Sequence, residues 1–123
     1  MYNAFIMVAV QQFEDLKIWQ MSRGLVSEIY LLMKVNKDYG FRDQIQRAAV
    51  SVMNNIAEGF ERRSNTEFKR FRDISKSSCG EVRSMLYLAE DLNYVDKDQA
   101  AKLREDCKLL SGSIANMMKA LKY

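Results

Sequence analysis

Ile45, Ala48, Ala49, Val52, Ile56 and Phe60 gather on one side of a helix turned about 100° per residue, a spacing that an alternating strand does not produce. Arg47, Ser51, Asn54 and Glu58 take the opposite side. The helix is then reset, because Ser64-Asn65-Thr66-Glu67 has the S-x-x-E form in which a serine and a glutamate satisfy orphan amides at a helix start. The 123 residues include no proline and only five glycines, so little else interrupts helical periodicity.

The same period recurs on both sides of this stretch. A first helix is expected over residues 14–35, a second over 42–60, a third over 65–92 and a fourth over 97–121. Asn36 to Gly40 forms the first turn, with Asp38 or Gly40 closing it. Asp96-x-x-Gln99 caps the fourth helix. The third helix turns Phe68, Phe71, Ser75, Ser78, Val82, Met85, Ala89 and Leu92 inward. On the fourth, Ala100, Leu103, Cys107, Leu110, Ile114, Met117, Met118 and Leu121 form one stripe. Short connections between four such helices predict an all-α, antiparallel up-down-up-down four-helix bundle. Residues 13–123 make up that domain, and residues 1–12 are an apolar extension, too short to span a bilayer and without the basic lead of a signal peptide.

The first helix carries two apolar stripes: Leu16, Trp19, Val26, Tyr30 and Met33 on one side, Ile18, Leu25, Ile29 and Leu32 roughly opposite. A helix apolar on both sides needs two partners. One stripe is expected in the bundle core, and Ile18, Leu25, Ile29 and Leu32, or else the other stripe, against a second chain, in preference to the alternative of a helix buried deeply within one bundle.

Composition removes whole classes of chemistry. Histidine is absent, so there are no Ser-His or Cys-His pairs and no histidine metal ligands. Cys79 and Cys107 lie far apart without metal spacing and read as small apolar residues of a reducing cytoplasm, with a disulfide between them as the weaker alternative. No enzyme, cofactor or metal is expected. Charge is more informative by position than in total. The net charge is +3, and residues 61–83 hold all of it: Arg62, Arg63, Lys69, Arg70, Arg72, Lys76 and Arg83 against Glu61, Glu67, Asp73 and Glu81. Lys69, Arg72, Lys76 and Arg83 share a narrow arc of the third helix, and Leu86, Tyr87 and Tyr94 continue along it.

Asn55-Ile56-Ala57-Glu58-Gly59-Phe60, then Arg62-Arg63-Ser64 and Glu67-Phe68 with Arg70-Phe71, resembles the bacterial four-helix bundle family encoded within 23S rRNA intervening sequences. The resemblance extends to Phe13-Glu14-Asp15-Leu16 with Trp19, to Gln46 through Ser51, and to Leu86 through Tyr94. It implies a five-membered ring and no catalytic residues. It also implies distant kinship with the accessory protein of diversity-generating retroelements, which binds nucleic acid and a reverse transcriptase.

Together these observations point to a non-enzymatic, oligomeric protein of the cytoplasm that binds RNA or DNA, structured RNA first. The basic residues of 61–83 form its nucleic-acid face. Leu86, Tyr87 and Tyr94 join the first-helix stripe at the subunit interface, and Arg47, Asn54 and Glu58 make a structural polar contact. The rival reading is a scaffold that docks a reverse transcriptase or another protein without touching nucleic acid. No membrane partner is expected.

Overall fold

The computed structural model describes residues 12–62 and 64–121. The apolar run of residues 1–11, Arg63 and the side chains of Met117, Met118 and Leu121 lie outside the described residues. A single 3-10 turn, Phe13–Asp15, precedes four α-helices: α1 Lys17–Leu32, α2 Tyr39–Glu61, α3 Asn65–Asp91 and α4 Lys97–Leu121. The described residues contain no strand.

Local chemistry explains each boundary. The first helix starts later than its periodicity suggests because Phe13 folds back edge-on to Trp19, ring centroids 5.2 Å apart, while the fully buried Leu16 adopts an extended conformation. At the other end, Asn36 Oδ1 accepts from the amide of Asp38 at 2.8 Å, and Asp38 Oδ1 accepts from the amide of Phe41 at 3.2 Å. Asp38 is therefore the N-cap of α2, and this is why α2 begins three residues before Arg42. Ser64 accepts from the amide of Glu67 at 3.1 Å, as the sequence predicts, but the Glu67 carboxylate takes Arg70 at 3.1 Å. Asp96 caps α4 through the Gln99 amide at 2.9 Å. Between α3 and α4, Asn93 adopts φ 60, with its amide donating to Glu90 and that of Tyr94 to Ala89 at 2.8 Å. This double closure of a helix C-terminus needs a left-handed residue, a conformation asparagine tolerates better than most.

The core is built from Ile29, Met33, Ile45, Ala49, Val52, Ile56, Val82, Leu86, Ala89, Ala100 and Ile114, with Ile18, Leu103 and Cys107 beside them. Contacts between α2 and α3 run in opposite directions: Gln44 with Glu81, Ser51 with Ser78, Val52 with Ser75. Those between α3 and α4 do the same, Glu90 with Arg104 and Cys79 with Cys107. Buried hydroxyls are satisfied: Ser22 Oγ donates to the carbonyl of Ile18 at 2.7 Å and Ser75 Oγ to that of Val52 at 2.9 Å. The seam between α1 and α4 stays open as a groove of about 210 Å³ lined by Met21, Gly24, Leu25, Glu28, Asp106, Leu109 and Leu110.

The interhelical loops are tied across one end of the bundle. The Tyr94 hydroxyl donates to Asp38 Oδ2 at 2.6 Å, and its ring packs edge-on to Phe41 at 5.3 Å. The Tyr94 hydroxyl, then the Phe41 amide, hold the Asp38 carboxyl below its ordinary value of 3.8, and Asp38 in turn raises the Tyr94 phenol above 10.0. A lowered acid stabilises the fold above its unfolded value, and that benefit is lost as pH falls through the folded one. A raised phenol stabilises below its unfolded value, and loses the benefit as pH rises through the folded one. Tyr94→Phe should therefore lower the urea midpoint by a small, constant amount between about pH 5 and pH 9, and the difference should shrink towards both extremes. A difference that persists unchanged below pH 2 would separate Asp38 from the effect.

Candidate nucleic-acid interface

The basic segment splits into two groups. Arg62 closes α2 and pairs with Glu58 at 3.1 Å, Arg70 pairs with Glu67 at 3.1 Å, and Arg72 pairs with Asp73 at 3.1 Å. The guanidiniums of Arg62 and Arg70 also lie 4.8 and 5.1 Å from the centroid of the same Phe71 ring. These three are neutralised locally, although exposed pairs of this kind are weak and exchange partners at little cost.

Lys69, Lys76 and Arg83 differ. None has a carboxylate within ion-pair distance among the described residues. They recur every seven residues, close to two helical turns, so they form a nearly straight row with steps of about 10.5 Å along α3. Lys76 is half-buried and lies with its stem on the surface, while Lys69 and Arg83 are exposed. A row of cations without ion pairs on a helix surface can attract phosphates without a pocket.

The aromatic end of the arc is different from its sequence pattern. Leu86 is fully buried in the core, because it stands about 100° around the helix from Tyr87. Tyr94 is half-buried and held by Asp38. Only Tyr87 points outward, with 58% of its surface exposed. Of this trio, then, Leu86 is core and out of reach of a second chain, and Tyr94 is a loop tie.

Tyr87 has a neighbour that sequence reading missed. The Arg104 guanidinium, from α4, lies 4.1 Å from the centroid of its ring, and Arg104 Nη1 donates to Glu90 Oε1 at 2.9 Å. Glu90 precedes Arg104 by fourteen residues, and only the antiparallel pairing of α3 with α4 brings them together. Further along α4, Asp106 is engaged by Lys102 at 3.0 Å, leaving Lys108 exposed without an ion pair among the described residues.

The expected interface stripe on α1 also needs correcting. Ile18, Leu25 and Ile29 are buried within this chain, and Leu32 packs half-buried against the same core. On the opposite stripe Leu16 and Met33 are fully buried and Trp19 and Val26 pack on the core, so of that stripe Tyr30 alone stands outward. Both stripes wrap one core because α1 is buried over a wide arc between α2 and α4. What α1 presents outward is Tyr30, Leu31 and, in the turn beyond, Val35, exposed by 73% and 86% for the last two.

Arg47, Asn54 and Glu58 are all exposed, and no hydrogen bond or ion pair joins them to one another. Arg47 borders an open polar cleft with Asp43, Gln44, Ser51, Ser78 and Glu81, whereas Glu58 is spent on Arg62. Ser51 turns from this face into the α2–α3 seam, its Oγ 2.7 Å from that of Ser78 and 3.0 Å from Asn55 Nδ2. Cys79 and Cys107 are free and buried, the Cys79 thiol donating to the Cys107 carbonyl at 3.2 Å. The contact with Cys79, reinforced by burial, pushes the Cys107 thiol far up, away from nucleophilic chemistry. Among the described residues no group of three or more Cys, Asp or Glu side chains is placed to hold a metal ion, and no helix is long and apolar enough to cross a membrane.

No curated protein matches the chain. Among solved structures it is similar to a protein of unknown function from the S23 ribosomal protein family of Bacteroides thetaiotaomicron, with a TM-score of 0.76 at 20% identity over 83% of this chain and 98% of that one. At that identity the likeness concerns the fold: two chains that share few residues bury the same helical arrangement. The family model described as 23S rRNA-intervening sequence protein matches residues 14–116, a span from the 3-10 turn through most of α4, and the chain belongs to that family.

Proposed function

We propose that this protein is a non-enzymatic RNA-binding bundle whose α3 flank neutralises phosphates of a structured RNA. The observation that carries the reading is the row of Lys69, Lys76 and Arg83, aligned at seven-residue steps and without carboxylate partners among the described residues. Arg62, Arg70 and Arg72 stand beside it in weak surface pairs that a phosphate can replace. The family description, with its reference to 23S rRNA, makes a structured ribosomal RNA the first ligand to test, with DNA as the comparison. One such row is a modest contact. A homo-oligomeric ring, five-membered if it follows the resemblance, repeats it around an axis and multiplies its strength through effective concentration.

Leu31 and Val35, one turn apart and largely exposed at the rim of the bundle, favour a second reading as a scaffold for a protein partner such as a reverse transcriptase. Filter binding of a structured RNA over a range of salt concentrations separates the two. If the row meets phosphates, log affinity falls linearly with log salt. The Lys69→Gln/Lys76→Gln/Arg83→Gln variant should then lose about 2 to 3 units of that slope, from 0.7–0.9 per phosphate, and weaken all sequences alike. An unchanged slope and affinity, in a variant whose assembly is intact by light scattering, would leave the scaffold as the function.

A further inference from the structure

The end of the cationic row offers more than charge. Tyr87 follows Arg83 by one helical turn, about 6 Å along α3, and stands on the same arc as Lys69 and Lys76. One face of its ring is occupied by the Arg104 guanidinium at 4.1 Å. That guanidinium is held in turn by Glu90 at 2.9 Å, with side-chain exposures of only 15% and 27% for the pair. The ring therefore has a fixed backing, while more than half of its surface remains in solvent. An exposed tyrosine held this way keeps few conformations to lose when something is laid on its open face.

We propose that Tyr87 is a stacking platform for one unpaired base, with Arg83 taking the phosphate next to it. The ligand class is thus a looped or single-stranded segment, since a paired base keeps its faces inside the duplex. The inference rests on the nucleic-acid reading above and narrows it. Its physical basis is the pairing of a cationic track with an aromatic face that tolerates any base, the arrangement by which single strands are held without sequence preference. Arg104 contributes from behind: a cation against one face of the ring is attracted to its π-system, and a base on the other face completes a three-layer stack. The Arg104–Glu90 pair positions the platform and does not itself contact the strand.

The test compares two RNAs, a hairpin with an unpaired loop and the same stem as a blunt duplex, against the wild type, Tyr87→Ala and Tyr87→Phe. Tyr87→Ala should weaken loop binding by roughly 5- to 150-fold, the usual worth of one stacked base, and leave the salt slope unchanged because no phosphate contact is removed. Tyr87→Phe should bind the loop like the wild type, and the blunt duplex should not distinguish the three proteins. Equal losses on loop and duplex, or no loss on the loop, would overturn the platform while leaving the cationic row in place. A changed particle mass for Tyr87→Ala in light scattering would make the residue a subunit contact and overturn it as well. If the wild type binds neither RNA in a salt-dependent way, the nucleic-acid reading fails, and the platform with it.

Discussion

Replacing Ile29 with alanine should destabilise the protein by about 2–5 kcal/mol and lower its melting temperature by roughly 10 °C or more, at every protein concentration. Ile29 is completely buried, and it lies in a core shared by Ile18, Leu25, Met33 and Ile45 of the same chain. Removing its outer carbons forfeits their transfer out of water and leaves a cavity that rigid helices fill only in part. The concentration test matters because the first helix, read from sequence, offers this stripe to a second chain. Truncating a side chain buried between subunits weakens assembly and changes the particle mass, whereas truncating one buried inside the chain lowers stability by the same amount at each concentration. Leu31→Ala is the comparison, since Leu31 is mostly exposed and its truncation should change monomer stability by no more than about 0.5 kcal/mol. An Ile29→Ala protein that melts like the wild type but splits into smaller particles would return the stripe to the interface.

Enlarging Ala49 should be nearly as damaging. Ala49 is fully enclosed on α2, the helix that packs against both α1 and α3, and Ala48 beside it is also buried. Two small residues side by side on the buried face let a neighbouring helix approach closely. Leucine is a good helix former, so Ala49→Leu costs little in propensity; any loss must come from three extra carbons with nowhere to go. Strain of this kind is worth about 1–3 kcal/mol, and more where no rotamer avoids a clash. The same change at Ala101, exposed on α4, should be close to neutral. Urea midpoints at equal slopes measure both. A stable Ala49→Leu protein would mean that the helices part easily there, and that the tight α2 packing is not what holds the bundle.

Much of the helical layout was legible because its causes are local. Ser64 and Asp96 announce their helices through side chains that reach an amide three residues on, and the third and fourth helices begin where those caps place them. The Ile45–Ile56 stripe needs only the helical period and is buried as a unit. Asp38 was among the residues expected to close the first turn, but its tie to Tyr94, fifty-six residues away, carries no sequence signature. Nor does the start of α1, where Phe13 finds Trp19 and the chain abandons a helix that its acidic first turn favours.

The sequence by itself determined the fold class, the capped helices and the clustering of positive charge in residues 61–83, since each depends on neighbours within about two helical turns. Tertiary structure decided which of those residues are available. Ile18, Leu25 and Ile29 look like a spare apolar face until α2 and α4 are packed around them. Leu86 looks like the companion of Tyr87 until one enters the core and the other does not. Arg62, Arg70 and Arg72 look equivalent to Lys69, Lys76 and Arg83, yet the first three each have a carboxylate within 3.1 Å and the others have none among the described residues. Arg104 acquires a role only when α4 is laid antiparallel beside α3 and its guanidinium comes to rest on Tyr87. A periodic pattern says on which side of its own helix a residue stands; whether that side is met by a neighbouring helix, by a partner charge or by water depends on contacts between segments far apart in the chain.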